Sequence, residues 1–546
     1  MASRRDELNA YSFARKRTNA AFLKPLPNGS IESAPRPLKA VLPSVLVGVL
    51  ILVGFGACGI LKPVAPKGWD AVGENVIVGD KSTTRYVVLN SKNPESGKNE
   101  KLLHPVLNLA SAKLLLDPDK YKVVKVKESE LDGKIPHGPA IGIPYAPDRL
   151  PGKEDAGAAK VWAVCDRPGS GANSKAQQAV FVLGGKDKKL VEGKGRVGLN
   201  QALYVRDPDG VRWLVDQRGF KFRLDATMDG HFKPPQGEEQ ANSDLRRAIF
   251  NDAEPQDVSK QWMDTLVKSP VPIYMPRVPG VGHTSHASGI PPKYTTIGTV
   301  LEVPDGQKYV VTAEGAQQVS DFIAKLLLRG QNAKDLHPNG EELQVQHVAT
   351  SSVTPMQDQG RYVKFMGKVG STDIDLPWPT EAVEMANNFD GSQTGSLTAP
   401  TDSGVSCSVY DGTATKLPGG ADKALGYPSG IPNMQTWVGK DYPAKIAGGA
   451  SAYVTPGSGL LYQEVNTPEQ TTGSLFLVTD TGLRYSVRVN NDSAGKAGNA
   501  EEETNKAALR LGYKGVHAPP ILKSWSSLLS AGPNLDVDSA RHPQTS

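Results

Sequence analysis

The chain has 546 residues, of which 38 % are hydrophobic and 22 % charged, values typical of a folded protein and not of a disordered one. Its formal net charge is +5, and residues 1–39 supply all of that excess, with eight Lys or Arg against three Asp or Glu. The basic balance therefore indicates membrane topology and not a nucleic-acid-binding surface.

The N-terminal arm, residues 1–39, is predicted to carry a helix over about residues 4–23. Ser3 followed by Asp6 resembles a capping box, and Pro25 is the expected stop. The apolar side chains of one face fall near helical spacing: Leu8, Tyr11 and Phe22. Much of the remaining surface is Arg and Lys. Two interpretations stay open, a basic helix lying on anionic lipid and a helix that docks on a cytoplasmic partner.

The next segment is predicted to cross a membrane. Residues 40–61 form a run of 22 positions without a charge, between Lys39 and Lys62. As a helix rising about 1.5 Å per residue, such a run spans roughly 33 Å, enough for a hydrocarbon core of about 30 Å. The basic arm before it favours a cytoplasmic N-terminus and an extracytoplasmic C-terminal region. The long segment before the run argues against a cleaved signal peptide.

The region beyond the apolar run is predicted to be α+β and to contain an internal repeat. Its 56 Gly and 42 Pro, counted over the whole chain, favour short strands and many turns. Asp-Gly or Thr-Gly, followed by a basic and an aromatic residue, predicts a hairpin and its outgoing strand. The aromatic anchors of the four copies are Tyr86, Trp213, Tyr309 and Tyr485. Helical stretches are expected after them, over about residues 104–116, 243–250, 316–328 and 499–511. Four β-β-α units are therefore predicted.

Uneven spacing of the repeats leaves two long inserts, and each insert contains one cysteine, Cys165 or Cys407. Cys58 is the third cysteine and lies in the apolar run. Two cysteines in an exported region suit one disulfide, the alternative being two unpaired thiols. We predict that the inserts meet in one β-rich central domain pinned by that disulfide. The predicted organisation is a cytoplasmic arm at 1–39, a transmembrane helix at 40–61, repeat 1 at 69–150, the two parts of the central domain at 151–199 and 361–470, repeat 2 at 200–285, repeat 3 at 290–360, repeat 4 at 471–530 and a tail at 531–546.

The sequence does not predict an enzyme. Residues 169–175 resemble a phosphate-binding loop, but Ser174 occupies the position of the second glycine and Ala176 follows the lysine where a hydroxyl is required. His283 and His286 lie among Gly and Pro without a third ligand, as solvated turn residues would. The Gly-x-Ser-x-Gly, Cys-x-x-Cys and His-Glu-x-x-His motifs do not occur in the sequence. We therefore expect neither catalytic residues nor a cofactor or metal.

Four segments resemble those of EccB, a membrane component of actinobacterial type VII (ESX) secretion systems. They are Arg-Arg-Asp-Glu-Leu-Asn-Ala-Tyr-Ser-Phe at 4–13, Leu-His-Pro-Val-Leu-Asn-Leu-Ala-Ser-Ala at 103–112, Gly-Ile-Pro-Tyr-Ala-Pro at 142–147 and Trp-Ala-Val-Cys-Asp at 162–166. The likeness covers essentially the whole chain. It implies an inner-membrane subunit with one transmembrane helix and a large outer domain that pairs with itself. That domain would have four repeats, similar to a phage-lysin cell-wall-binding module, and one disulfide, which matches Cys165 and Cys407.

The partners implied by the resemblance are EccC, EccD and EccE, with the protease mycosin alongside. Some members of the family carry an ATPase label, which this sequence gives no nucleotide motif to support. We expect a non-enzymatic scaffold that anchors and bridges the parts of a secretion complex in the cell membrane. The alternative is a membrane-anchored protein that binds peptidoglycan, and a weaker alternative is an ATPase.

Overall fold

The structure is a computed structural model that describes residues 3–23, 38–60 and 65–544, apart from 94–95, 119, 169–175, 225–237, 270–271, 277, 338, 340–341, 357–377, 388–403, 418–420, 428–429, 447–450, 468–469, 471 and 489–505. It begins with two helices, α1 (Arg4–Leu23) and α2 (Leu38–Ile60). The first coincides with the predicted helix of the arm. Within the described part of the chain, no helix is long and apolar enough to cross a bilayer.

The first sheet and the strands that follow it occupy residues 75–183. The elements are β1 (Asn75–Gly79), β2 (Arg85–Lys92), β3 (Asn99–Val106), α3 (Leu109–Leu115), β4 (Lys122–Val126), α4 (Glu128–Lys134), α5 (Lys153–Gly157), β5 (Val161–Arg167) and β6 (Gln177–Leu183). Strands β1 to β4 form one sheet of order β3-β2-β1-β4, in which β4 runs parallel to β1. Repeat 1 is the name we use for this sheet with α3 and α4.

The second and third sheets occupy residues 201–347. The elements are β7 (Gln201–Arg206), β8 (Arg212–Val215), β9 (Phe220–Arg223), α6 (Glu238–Phe250), β10 (Gln256–Asp257), α7 (Lys260–Asp264), β11 (Val267–Lys268), β12 (Val300–Glu302), β13 (Lys308–Val311), β14 (Ala316–Val319), α8 (Asp321–Arg329), α9 (Gln331–Leu336) and β15 (Gln346–His347). Repeat 2 has the order β10-β7-β8-β9-β11, and repeat 3 has the order β14-β13-β12-β15.

The last part of the chain completes the central sheet and builds repeat 4. The elements are β16 (Glu384–Met385), β17 (Val405–Thr415), α10 (Ala421–Ala424), β18 (Ile431–Gly439), β19 (Ala452–Val454), β20 (Gly459–Val465), β21 (Ser474–Thr479), β22 (Leu483–Ser486), α11 (Lys506–Leu511), β23 (Pro520–Leu522), α12 (Lys523–Ser526), β24 (Ser530–Ala531) and α13 (Val537–Arg541). The central sheet has the order β18-β17-β5-β6-β19, so strands of both predicted inserts meet in it. Repeat 4 has the order β23-β20-β21-β22-β24.

The four repeats share one topology. Three antiparallel strands form a meander, a helix follows, and the next strand returns parallel to the first strand of the meander. A later segment then pairs in parallel with the third strand: β11 in repeat 2, β24 in repeat 4, and isolated bridges at His137 and Pro355 in repeats 1 and 3. The repeat unit is therefore longer than the predicted β-β-α.

The hairpin turns form where the sequence predicted them. Gly210, Gly306 and Gly482 have φ angles of 82°, 85° and 79°, which glycine adopts without steric cost. The first copy, which lacks the glycine, holds Thr83 at φ 57° instead. The fourth copy differs in position. It joins β21 to β22, the second hairpin of its repeat, whereas the other three copies join the first and second strands.

Several predicted boundaries were wrong. Residues 104–106 and 316–319, assigned to helices, lie in β3 and β14, because α3 and α8 begin only after the caps Asn108 and Ser320. Strand β20 belongs to repeat 4 although it precedes residue 471. The predicted tail is part of the fold, since Leu535 and Ala540 are buried in the core that repeats 1 and 4 share.

The cores define the order of the modules. Repeats 1 and 4 share one apolar cluster, which contains Val76, Val87, Leu461 and Leu477. Repeats 2 and 3 share another, which contains Phe220, Phe222, Val310 and Phe322. One face of the central sheet packs on the remaining faces of repeats 2 and 4 through Trp162, Val205, Trp262 and Tyr462. In space, the modules are therefore arranged in the order repeat 1, repeat 4, central sheet, repeat 2 and repeat 3.

Candidate interaction surfaces

Helix α1 presents its apolar and its basic side chains to solvent. The predicted docking residues Leu8, Tyr11 and Phe22 are 70 %, 71 % and 89 % exposed. Helices in proteins gain most of their stability from packing an apolar face, so a partner surface over these side chains would stabilise α1. The arginines and lysines beside them are exposed too.

The aromatic anchors of the repeats are core residues. Trp213, Tyr309 and Tyr485 are buried, and Tyr86 is half-buried with its ring edge-to-face to His137 at 6.1 Å. The polar atom of each buried anchor finds a partner in its own repeat: Trp213 Nε1 donates to Asp207 Oδ2 at 2.9 Å, Tyr309 Oη donates to Gln307 Oε1 at 2.8 Å, and Tyr485 Oη is 3.3 Å from Thr481 Oγ1. These aromatics stabilise hairpins and do not offer rings to a ligand.

Two of the motifs quoted above form a single unit in repeat 1. Asn108 caps α3: its Oδ1 accepts from the Ser111 amide at 3.0 Å, and its Nδ2 donates to the Ile143 carbonyl at 2.7 Å. Ser111 Oγ in turn accepts from the Ile143 amide at 2.9 Å. All of these groups are buried. The segment 103–112 therefore holds the segment 142–147 in place.

His104 strengthens the same unit. It is buried, its Nδ1 lies 2.9 Å from the Pro139 carbonyl, and its Nε2 lies 2.6 Å from Ser91 Oγ. Burial lowers the pKa of His104 below its ordinary 6.5. A neutral ring that donates through Nδ1 and accepts through Nε2 satisfies both contacts. The sequence identified these motifs only as family markers, although Asn is among the residues most favoured at a helix N-cap.

The turn that this unit supports displays Tyr145. The Ala146 amide bonds to the Ile143 carbonyl at 3.2 Å, and Tyr145 has a φ of 61° at a position where glycine is usual. A non-glycine residue in this region costs roughly 1–2 kcal/mol. Its side chain is 87 % exposed, so packing within the chain does not repay that cost. A strained, rigidly supported and exposed aromatic residue is a candidate contact for a partner.

The central sheet contains the disulfide. Cys165 on β5 and Cys407 on β17 are directly opposite each other and are bonded, with Cα atoms 4.0 Å apart and a separation of 242 residues. Both cysteines are fully buried among apolar side chains that include Phe181, Val405 and Trp437. The bridge therefore joins neighbouring strands that come from the two inserts.

A buried polar network lies beside the bridge. Asp166 Oδ2 accepts from the Ser259 amide at 2.6 Å, and Gln256 Oε1 accepts from Ser406 Oγ at 2.6 Å and Asn387 Nδ2 at 3.1 Å. Burial raises the pKa of Asp166 to about 6, and the hydrogen bond from Ser259 opposes that rise. This network ties repeat 2 to the central sheet.

Lys221 is buried and Lys325 is half-buried, and neither forms an ion pair with a carboxylate among the described residues. Lys221 Nζ donates to the Met263 carbonyl at 2.6 Å, and Lys325 Nζ donates to the carbonyls of Ile249 and Val383 at 2.9 and 2.8 Å. Burial lowers the pKa of each to about 8. Both side chains link a helix to a neighbouring segment and donate to carbonyl oxygens. These contacts stabilise the packing of the fold.

His283 and His286, the histidine pair noted in the sequence, are exposed. Among the residues that the structure describes, no group of three or more His, Cys, Asp or Glu side chains could hold a metal ion. The segment 169–175, which resembled a phosphate loop, lies outside the described residues. The described residues thus define a modular repeat protein with a disulfide-bonded central sheet.

Comparison with known proteins identifies the family. A family model described as "Type VII secretion system ESX-1, transport TM domain B", EccB, matches residues 1–545. The chain therefore belongs to the EccB family, as the sequence motifs predicted. The ESX-3 secretion system ATPase EccB3 of Mycobacterium tuberculosis is 27 % identical, covering 91 % of this chain and 82 % of its own. The ESX-2 secretion system ATPase EccB2 of the same species is 26 % identical, with 98 % and 94 % covered.

A solved structure shares the fold. A chain of an intact ESX-5 inner membrane complex matches with a TM-score of 0.50 at 20 % identity, covering 100 % of this chain and 96 % of that one. At this level of identity the likeness concerns the fold alone. The word ATPase occurs in the names of the relatives, and that complex is described as an inner membrane assembly.

Proposed function

We propose that this protein is a non-enzymatic scaffold subunit of a type VII secretion membrane complex. The observation that carries the proposal is the family match over residues 1–545. It is supported by a chain made of packed repeat modules and by an N-terminal helix whose apolar side chains are exposed. The subunit would connect partners on the two sides of the membrane.

Helix α2 is the proposed membrane anchor. It overlaps the uncharged run at 40–61, and the proposal rests on the length of that run, which as a helix would match a hydrocarbon core. The charge excess of residues 1–39 supports a cytoplasmic N-terminus and an extracytoplasmic repeat region. A disulfide in the repeat region agrees with an oxidising compartment. The protein would thus pass once through the cell membrane.

The proposed partners are EccC, EccD and EccE, mycosin and a second copy of the chain, with α1 as the cytoplasmic contact. The test is affinity purification of the full chain from membranes, followed by quantification of the EccC and EccD homologues. The triple variant Leu8→Ala, Tyr11→Ala, Phe22→Ala should recover less of both. The matched control is Asn9→Ala, Ser12→Ala, Thr18→Ala, which removes exposed polar side chains of the same helix.

A lone monomer in the purification of the unaltered chain would refute the scaffold proposal. If the two triple variants lost equal amounts of the EccC and EccD homologues, the apolar side chains of α1 would have no special role. That result would refute the docking face. Retained EccD with lost EccC, or the reverse, would assign the face to one partner and support it.

The repeats give little support to the rival function, that of an anchored protein that binds peptidoglycan. Buried aromatic anchors cannot stack on a sugar ring, and their polar atoms are already bonded within the chain. Sedimentation of the full chain with purified peptidoglycan tests the rival. Binding that survives deletion of residues 1–23 while EccC and EccD are lost would favour it.

The chain is proposed not to hydrolyse ATP. The test compares ATP turnover of the purified full chain with that of Lys175→Ala, which removes the lysine of the loop-like segment 169–175. We expect background turnover in both. A turnover well above background that disappears in Lys175→Ala would overturn this part of the proposal.

A further inference from the structure

Repeat 1 carries an unusual edge strand. Residues 120–127 read Lys-Tyr-Lys-Val-Val-Lys-Val-Lys, with four lysines and no acidic residue. Strand β4 lies within this segment and is the terminal strand of its sheet. Lys122 and Lys125 are exposed, and Val123 is 59 % exposed between them. The corresponding strands of the other repeats have only two or three residues.

The register of β4 places Lys122 beside the segment by which the chain enters repeat 1. Lys122 pairs with Asn75 of β1, and side chains paired in parallel strands share a face. Asn75 Nδ2 donates to the carbonyls of Gly68 and Trp69 at 2.9 and 3.2 Å. The Lys122 side chain therefore starts on the face that the entry segment covers. Lys67, which is exposed, lies in that segment.

Covalent geometry keeps this face close to the end of α2. Ala65 and Trp69 pack in one small cluster with Val124 and Val126 of β4. Four residues separate Ala65 from Ile60, the last residue of α2, so five Cα-to-Cα steps join the two. Five such steps reach at most roughly 17 Å, at about 3.4 Å per step. The β4 face thus cannot move far from the point where α2 ends.

The lysines differ in how far they are neutralised. Lys120 lies 3.7 Å from both Glu74 and Asp117. Lys67, Lys122 and Lys125 form no ion pair within 4 Å among the described residues. Lys122 and Lys125 are three positions apart and start on opposite faces of the edge strand, with Lys67 on the Lys122 side. These three cations flank one short strand near the end of α2 and are therefore available to an external anion.

We propose that Lys67, Lys122 and Lys125 bind the anionic phospholipid headgroups of the membrane in which α2 is anchored. The proposal rests on the proposed membrane anchor. A lysine near an anionic bilayer contributes about 1 kcal/mol, roughly a fivefold change in binding, and three give on the order of a hundredfold. The contact would fix the orientation of repeat 1, and of the modules packed on it, against the membrane surface. Lysines also protect open strand edges from pairing with other strands, a role that needs no lipid.

The test compares full-length protein in nanodiscs of phosphatidylcholine with discs containing phosphatidylglycerol. Acylation of individual lysine amines is followed by mass spectrometry, because an amine bound to phosphate is shielded and stays protonated. Labelling of Lys67, Lys122 and Lys125 should be at least fivefold slower in anionic discs, and high salt should remove the difference. Lys293, exposed in repeat 3 at the other end of the module array, should show no lipid dependence.

Two variants sharpen the comparison. In Lys122→Gln, Lys125→Gln the remaining reporter Lys67 should lose most of its lipid dependence. The matched control Lys120→Gln, which removes a lysine already paired with carboxylates, should keep it. Rates that do not depend on lipid, or that slow equally at Lys293, would overturn the proposal. Failure of the chain to enter discs would instead refute the membrane anchor, and the contact with it.

Discussion

Replacing Asn108 by alanine should loosen the turn that carries Tyr145. The substitution removes the cap of α3, which costs about 1 kcal/mol. It also leaves the Ile143 carbonyl without its 2.7 Å donor in a buried site, which costs a further 1–3 kcal/mol or so. We therefore expect a loss of about 2–4 kcal/mol. A suitable control is Ser320→Ala, since Ser320 caps α8 at 3.2 Å and belongs to repeat 3.

Hydrogen exchange suits this prediction because a chain of several modules need not unfold in one step. The Ile143 amide, held by Ser111 Oγ at 2.9 Å, should exchange at least tenfold faster in Asn108→Ala. Ser320→Ala should leave that amide unchanged and accelerate the first turn of α8 instead. If Ile143 exchanged at the same rate in Asn108→Ala and in the unaltered protein, segment 103–112 would not be what holds the turn.

Three further predictions concern other parts of the fold. Tyr145→Gly should raise the midpoint of thermal unfolding, because relief of the positive φ, about 1–2 kcal/mol, exceeds the cost of glycine's freedom in the unfolded chain, about 0.5–1 kcal/mol. Tyr145→Ala should not raise it, and equal effects would exclude backbone strain. Asp166, with its pKa raised from 3.8 to about 6, favours the folded state most below pH 3.8, and that contribution of about 3 kcal/mol is lost as pH rises through 6. Asp166→Asn should abolish this component in pH-dependent unfolding, and an unchanged profile would contradict it. Cys165→Ser, Cys407→Ser should lower stability by up to about 5 kcal/mol, the chain-entropy limit, and unfolding midpoints equal to those of the unaltered protein would show that the bridge is dispensable.

The fold could be predicted as far as local signals reach. The Gly turns and the helix of the arm follow from short-range patterns, so their positions were predicted well. The strands β10, β11 and β15 have two residues each and no periodicity to detect. They exist because a neighbouring strand offers backbone partners, which is a long-range effect. For the same reason the sequence could not show that the fourth turn belongs to a different hairpin.

The site residues also divide into those that the sequence could identify and those that only the fold brings together. Cys165 and Cys407 were predicted as a pair because the exported region contains no other cysteine. Asp166 and Ser259 could not be paired from sequence, since 93 residues separate them and neither belongs to a motif. The anchors Trp213 and Tyr309 were identified as a pattern, but only the structure shows that their rings are buried. Burial depends on which modules pack together, and a repeat pattern does not encode that.

The disulfide joins the part of the central sheet that the chain builds before leaving it to the part that it builds on its return. The chain leaves the central sheet after β6, builds repeats 2 and 3, and returns at β17 beside β5. Repeats 2 and 3 therefore form one excursion, and the bond between Cys165 and Cys407 closes it at its base. Repeats 1 and 4 differ, because they come from opposite ends of the repeat region. They meet through their shared core and through hydrogen bonds such as those from Arg510 Nη1 to the carbonyls of Leu114 and Leu116. The covalent link thus secures the half of the array farther from α2, whereas the half nearer to α2 depends on packing and on the segments 103–112 and 142–147.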